Sequence, residues 1–164
     1  MLPAIKRLYI AIRIKPDADF MEQFRELKTA LGHESIKWVE ERNIHITLKF
    51  IGETGEERIP AIGKALDGVA QSVSAFRFSL KGVGIFGSRY DPRVIRTGIE
   101  PYEPLASLMQ RVHDALEQEG FERDRQNLVP HLTLGRIRSL KDKKLFHETL
   151  EEFSDLESLP MTAA

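Results

Sequence analysis

The 164-residue sequence has no cysteine, no excess of charge of either sign and no long apolar run. Without cysteine it has no disulfide framework. The N-terminal apolar stretch is interrupted by Lys6, Arg7, Arg13 and Lys15, which argues against a signal peptide or a membrane span. A formal net charge of −1 excludes a uniformly basic nucleic-acid binder. We therefore expect a cytoplasmic protein that avoids membranes and uses a local positive patch for any anionic substrate.

The spacing of apolar residues predicts an α+β fold in which strands and helices alternate. Strands are expected over residues 7–14, 36–39, 44–51, 75–83, 93–99 and 131–138. Helices are expected from Asp17 or Asp19 to Gly32, over 57–71 and 102–119, and from a capping box of Ser139 and Asp142 to about Phe153. This length supports one domain over residues 1–164, or two small lobes that share a core.

One short pattern occurs twice, as His45–Leu48 (HITL) and as His131–Leu134 (HLTL), about half a chain apart. Both copies lie in predicted strands, where side chains alternate between the two faces. The histidine and threonine of each copy therefore share one face, and the two apolar residues point into a core. A single copy is an ordinary strand sequence, but two of the five histidines in the same position of the same motif favour a functional role.

Two histidine–threonine pairs that face each other across a groove would provide an acid, a base and two neutral hydrogen-bond donors. Histidine suits both proton-transfer roles because its unperturbed pKa of about 6.5 lets its two protonation states coexist near pH 7. These groups are sufficient to open a phosphodiester without a metal. The sequence alone does not assign the acid and the base to particular histidines.

The flanks of both motifs resemble those of the two-histidine phosphoesterases, and among them the RNA 2′,3′-cyclic phosphodiesterases, also called 2′-5′ RNA ligases. Asn43–Gly52 is similar to the first family motif and Pro130–Arg136 to the second. The family's segment between the motifs resembles Gly82–Phe86 and Pro92–Val94 of this sequence. Its first strand resembles Leu8–Ile12. The resemblance runs from about residue 7 to residue 138.

The resemblance implies a bilobal fold, with two pseudo-symmetric lobes of antiparallel sheet, helices packed outside and the active-site groove between them. It also implies metal-independent hydrolysis of RNA 2′,3′-cyclic phosphate ends to 2′-phosphomonoesters, with ATP-independent 2′-5′ ligation as a related reaction. The expected partner is RNA with such an end, for example tRNA halves. No cofactor and no metal are expected, and the protein is expected to act as a monomer.

The resemblance assigns His131 as the proton acceptor and His45 as the proton donor. Thr47 and Thr133 would donate hydrogen bonds to the non-bridging phosphate oxygens, where charge develops. The remaining histidines, His33, His113 and His147, are expected at the surface, and no metal-ligand spacing occurs among them.

Arg136, five residues after His131, matches an arginine of the family's second motif, and the resemblance implies that it binds phosphate. Its guanidinium suits phosphate geometry. On a regular strand an odd spacing turns the two side chains to opposite faces, so a bulge or a strand end at Gly135 is needed to return Arg136 to the site.

Several further residues are candidates for RNA or nucleotide contacts. The cations are Lys49, Arg93, Arg96 and Arg138, and the aromatic residues that could stack on a base are Phe50, Phe86 and Tyr90. Arg96 stands where the family often has tryptophan. The family also has a strand after its last helix, which we expect to be absent or cut short here, because the sequence ends with residues 159–164.

Two alternatives to this function stay open. One is a related enzyme that acts on another diester, such as 2′-5′ oligoadenylate or a nucleotide-ribose cyclic phosphate. The other is a non-catalytic nucleotide- or RNA-binding module, against which the intact histidines and threonines of both motifs argue.

Overall fold

The computed structural model describes residues 4–124 and 129–163. Over these residues it confirms the predicted α+β alternation. The strands are β1 (Ile5–Arg13), β2 (Ser35–Trp38), β3 (His45–Gly55), β4 (Phe76–Gly87), β5 (Pro92–Glu100), β6 (His131–Ser139) and β7 (Met161–Ala163). The helices are α1 (Ala18–Ala30), α2 (Ile59–Ser72), α3 (Glu103–Gln118) and α4 (Lys143–Glu152). None of the helices in these described segments is long and apolar enough to span a membrane.

The strands form two antiparallel sheets, and each sheet contains one motif strand. One sheet pairs β1 with β3, and the other has the order β2-β6-β5-β4-β7. Strand β2 precedes the first motif along the chain but pairs with β6, which bears the second motif. The helices also pack across the two halves of the chain: α1 packs on α4, and α2 packs on α3. The two halves of the chain are therefore interlocked.

A single apolar core joins the sheets to the helices. Helix α1 places Phe20, Phe24 and Leu27 in this core, all fully buried at the predicted helical spacing. The carboxylate of Asp17 accepts a hydrogen bond from the Phe20 amide at 3.3 Å and so caps the helix. The motif strands contribute their apolar residues to the same core, which fixes the face that each strand turns outward.

The start of α4 differs from the predicted capping box. The N-cap is Asp142, whose carboxylate accepts from the Leu145 amide at 3.0 Å, and Ser139 still belongs to β6. The buried carboxylate of Glu34 accepts from the amides of Lys141 and Asp142 at 2.6 and 3.1 Å. The Glu34 carboxylate, which is distant in sequence, fixes the turn before α4, so the helix is capped by Asp142 without a capping box from Ser139.

The strand expected to be absent or cut short is present as the three-residue β7. It pairs with Phe76–Phe78 at the edge of the larger sheet. The approach is held by Ser158, whose hydroxyl accepts from the Leu80 amide at 2.8 Å and whose own amide donates to the Leu80 carbonyl at 2.9 Å. The pairing therefore depends on backbone contacts with β4 that a local pattern does not reveal.

The prediction that His113 lies on the polar side of α3 is wrong, because its side chain is fully buried. The buried face of α3 is formed by Leu105, Met109, Val112, His113 and Leu116. This face is wider than the predicted stripe because α3 packs against both α2 and β3. The ring is kept in the core by its Nδ1, which lies 2.8 Å from the Met109 carbonyl. His33 is exposed as expected.

Candidate active site

The two motif strands are neighbours although they belong to different sheets. Cα atoms of β3 and β6 approach within 8 Å of each other. The apolar residues of both motifs are buried in the common core, namely Ile46, Leu48, Leu132 and Leu134. The histidine and threonine of each motif are half-buried on the opposite face of their strand. Because side chains alternate along a strand, both histidine–threonine pairs point away from the common core, on two strands that approach each other.

A β-bulge follows the threonine of each motif. In β3, Thr47 pairs with Ala11 and Lys49 with Ile10, so Leu48 has no partner. In β6, Thr133 pairs with Arg96 and Gly135 with Ile95, so Leu134 has no partner. Each bulge shifts the alternation of side chains by one residue.

The bulges return the fifth residue after each histidine to the face of that histidine. After the buried pair Leu134 and Gly135, Arg136 is exposed on the same face as His131 and Thr133. Phe50 takes the corresponding place in the first motif, and its side chain is 59% exposed. The predicted bulge near Gly135 is thus present, and it brings Arg136 to the second motif.

The two histidine rings are held in the same way. Nδ1 of His45 lies 2.7 Å from the carbonyl oxygen of Asn43, and Nδ1 of His131 lies 2.7 Å from that of Val129. A carbonyl oxygen only accepts hydrogen bonds, so Nδ1 carries the hydrogen in both rings. In a neutral ring Nε2 then has the free lone pair, and in a cationic ring it has a proton to give.

An aromatic residue packs against each histidine. Tyr9 of β1 lies 5.2 Å from His45, and Phe86 of β4 lies 4.6 Å from His131 with its ring nearly perpendicular, both between ring centroids. Sequence reasoning considered Phe86 only as a stacking residue or a core residue and did not select Tyr9. Both aromatic rings limit the rotation of the imidazoles, so the ring nitrogens keep their direction.

The environment of His131 favours its neutral form. Burial lowers the pKa of His131 below its usual value, and the positive charges of Arg96 and Arg136 lower it further. The hydrogen bond to the Val129 carbonyl opposes this effect but does not reverse it. In its neutral form His131 has a free lone pair on Nε2, which can accept a proton.

Two more arginines share the surface of the motifs. Arg96 pairs directly with Thr133 across β5 and β6, and Arg13 pairs with His45 across β1 and β3. Directly paired residues of antiparallel strands project their side chains to the same face. Sequence reasoning gave Arg96 only a minor role and did not select Arg13, because a strand pattern does not reveal which residues it will face. Together with Arg136 these residues form the local positive patch that the sequence required.

The prediction that Lys49 contacts RNA is wrong. Its side chain is 1% exposed, because the bulge at Leu48 turns it into the protein. Its Nζ donates to the Glu122 carbonyl at 2.5 Å and to the Asp124 carboxylate at 3.1 Å. The other oxygen of Asp124 accepts from the Phe50 amide at 3.2 Å. Lys49 therefore attaches the chain that leads toward the second motif to the strand of the first.

The two aromatic candidates for RNA contacts lie in different places. Phe50 borders a cavity of about 380 Å³ whose walls also include Thr54, Arg58, Phe121 and Asp124. Tyr90 lies in the turn between β4 and β5 and is 82% exposed, and its carbonyl accepts from Lys143 at 2.6 Å. Phe50 shares the face of His45 through the bulge in β3, whereas Tyr90 belongs to the turn that connects β4 to β5.

Acidic and histidine side chains do not gather into a metal site in the segments that the structure describes, since no group of three or more ligand residues occurs there. The face of the motifs presents two imidazoles, two hydroxyls and three guanidinium groups. Such a set can move protons on both sides of a phosphorus atom and hold the charge on its oxygens.

The sequence is similar to proteins of a known family. The sequence profile of the 2′-5′ RNA ligase superfamily matches residues 15–163. The chain is 36% identical over 133 residues to the RNA 2′,3′-cyclic phosphodiesterase of Archaeoglobus fulgidus, and the matched region covers 80% of this chain and 73% of that one. It is 32% identical over 156 residues to the protein of the same name from Methanocaldococcus jannaschii, covering 92% and 83%.

The fold also matches solved structures. The crystal structure of TT0787 of Thermus thermophilus superimposes with a TM-score of 0.72 over 96% of this chain and 84% of that one. The two sequences are 21% identical, so this likeness concerns the fold alone. The profile match and the identity to these relatives extend over most of the chain, and the chain belongs to the 2′-5′ RNA ligase superfamily.

Proposed function

We propose that this chain hydrolyses RNA 2′,3′-cyclic phosphate ends to 2′-phosphomonoesters, with His131 as the base and His45 as the acid. The main support for this proposal is that the two motifs have the same geometry. Each histidine donates Nδ1–H to a backbone carbonyl, which leaves Nε2 available to the substrate. The names of the relatives, RNA 2′,3′-cyclic phosphodiesterase, support the same substrate class.

The reaction begins with water. Neutral His131 takes a proton from the water through Nε2 as its oxygen bonds to phosphorus. The lowered pKa of His131 supports this role, because it keeps the lone pair free at neutral pH. A base that was already protonated at this pH would not accept the proton.

The bond between phosphorus and the ribose O3′ breaks on the side opposite the water. Cationic His45 gives its Nε2 proton to the departing O3′, which becomes the 3′-hydroxyl, while O2′ keeps the phosphate. One turnover leaves a proton on His131 and removes one from His45, and exchange with solvent restores both. Strain in the five-membered cyclic ester lowers the barrier that these two groups must overcome.

Negative charge builds up on the non-bridging phosphate oxygens during this step. The hydroxyls of Thr47 and Thr133 donate hydrogen bonds to these oxygens, and Arg136 supplies a permanent positive charge. All three lie on the face of the histidines, so they hold the phosphate while the protons move at its two ends.

A 5′-hydroxyl of a second RNA end can replace the water. The same proton transfers then produce a 2′-5′ linkage without ATP, because the energy of the cyclic ester drives the step. The proposed substrates are RNA ends with a 2′,3′-cyclic phosphate, such as tRNA halves, and the proposed acting form is a cytoplasmic monomer built as one domain. No bound cofactor takes part in these steps.

The test incubates the protein with an oligoribonucleotide that ends in a 2′,3′-cyclic phosphate. Phosphorus NMR and chromatography against standards distinguish a 2′-phosphate from a 3′-phosphate. We expect the 2′-phosphomonoester alone, formed about 10²–10⁴-fold more slowly by His131→Ala. A 3′-phosphate product, or cleavage of 2′-5′ oligoadenylate in preference to the cyclic end, would refute the proposal. Binding of the oligonucleotide without turnover would indicate a non-catalytic module.

A further inference from the structure

Arg96 lies on the surface of the motifs but beside the place proposed for the cyclic phosphate. On β5, Ile95 and Thr97 are fully buried, so Arg96 between them faces the other side of the sheet. On that side it is the direct partner of Thr133 on β6 and of Gly84 on β4. It is therefore in the same layer of side chains as the second motif.

The guanidinium of Arg96 extends toward β4. Its central carbon lies 4.7 Å from the centroid of the Phe86 ring. The same ring packs against His131, with 4.6 Å between centroids. Phe86 therefore contacts both the cation and the histidine of the second motif.

The glycine at position 84 lets the guanidinium lie against the backbone of β4. A Cβ there would stand 3.4 Å from Arg96 Nη2. The position of the guanidinium therefore depends on the absence of a side chain at residue 84.

Within the described segments, the guanidinium of Arg96 lies over one aromatic ring, that of Phe86. Those segments contain no carboxylate within ion-pair distance of it, and its Nε is buried without a hydrogen-bond acceptor. Burying part of a cation without an acceptor costs free energy, which an anionic ligand would offset. Arg136 already serves the cyclic phosphate in the proposed reaction, so Arg96 has its charge free for a second anionic group.

We propose that Arg96 binds the phosphodiester on the 5′ side of the terminal nucleoside, so that the protein prefers oligonucleotide ends to cyclic mononucleotides. This inference rests on the proposed function. A mononucleotide 2′,3′-cyclic phosphate has one phosphate and engages Arg136 alone. An oligonucleotide has a second phosphate next to the terminal ribose, and this phosphate engages Arg96.

The experiment removes the second charge from the substrate and the cation from the protein. The substrates are 2′,3′-cyclic AMP, the dinucleotide ApA with a 2′,3′-cyclic end, and the same dinucleotide with an uncharged methylphosphonate linkage. We expect the wild-type kcat/KM to be roughly 10-fold higher for the charged dinucleotide than for the methylphosphonate, as for one charge-assisted hydrogen bond. Arg96→Gln should abolish this ratio.

Ratios between substrates separate recognition from catalysis. Arg96 lowers the pKa of His131, so Arg96→Gln will change turnover on every substrate, but this common effect cancels in the ratio. Arg96→Lys should keep most of the preference, because it keeps the charge. Arg77→Gln is the matched control, since it removes an exposed arginine from the part of β4 that pairs with β7 and should leave the ratio unchanged.

The outcomes distinguish the two proposals. If the wild-type protein opens none of the three substrates, the proposed function fails. If it opens the charged and uncharged dinucleotides equally well, only the role of Arg96 fails, and this comparison does not depend on the folding of any variant. If Arg96→Trp keeps the preference for dinucleotides and Arg96→Lys loses it, the residue stacks on a base and the phosphate assignment is wrong.

Discussion

Replacement of Thr133 by valine tests whether the motif threonines hold the charge of the transition state. Valine keeps the β-branched shape of the side chain and its preference for strands, but it removes the hydroxyl donor. The side chain is half-buried on the face of His131, so the substitution leaves the core residues Leu132 and Leu134 in place. The change is therefore confined to one hydrogen bond.

The expected cost follows from the loss of one donor to a developing negative charge. Such losses lower kcat by about 10²–10³, or about 2.7–4 kcal/mol. Arg136 is exposed on the same face and compensates in part, so we expect a value near 10²-fold. KM should change much less than kcat, because the lost bond strengthens only as charge develops. Steady-state hydrolysis of a cyclic-phosphate oligonucleotide gives both constants.

Thr97 provides the matched control. It lies on the adjacent strand β5, pairs with Leu132, and is fully buried in the core with no hydrogen-bond partner for its hydroxyl in the described segments. Thr97→Val should leave kcat unchanged. It should also raise the free energy of unfolding, because a buried hydroxyl without a partner costs about 1–3 kcal/mol. If Thr133→Val behaved like Thr97→Val, the motif threonines would be strand residues without a catalytic role.

The site and its surroundings support four further predictions. His45→Ala and His131→Ala should each lower kcat by about 10²–10⁴ without unfolding the protein, and near-normal turnover in either would exclude the two-histidine mechanism. Because burial and two arginines lower the pKa of His131, the acidic limb of the pH profile of kcat/KM should lie below about pH 6.5, and a limb above that value would contradict the base assignment. Excess EDTA should not change turnover, because side chains fill every proposed role; loss of activity that zinc or manganese restores would refute this. Asp124→Ala should lower the free energy of unfolding by about 3–5 kcal/mol in urea denaturation, since it leaves the buried Lys49 ammonium without its carboxylate; an unchanged midpoint would show that the pair contributes nothing.

In the described segments, the local pattern was sufficient for the four α-helices, for strands β1 to β6 and for the two motifs, but not for β7. Strands and helices follow from the spacing of apolar residues, which reports the buried face of each segment. The repeated histidine–threonine pair identified the chemistry because both residues share a face in any strand. The glycine at 135 indicated the bulge that brings Arg136 to His131, since the odd spacing between them required one.

The tertiary structure decided everything that depends on which strands become neighbours. The register of β5 on β6 places Arg96 beside Thr133, and that of β1 on β3 places Arg13 beside His45. Lys49 is buried because a bulge in its own strand turns its side chain inward, where its ammonium binds the carboxylate of Asp124, 75 residues away in sequence. His113 is buried because α3 has partners on two sides. Periodicity reports only that a face is covered, whereas the partner and the register arise from contacts between distant segments.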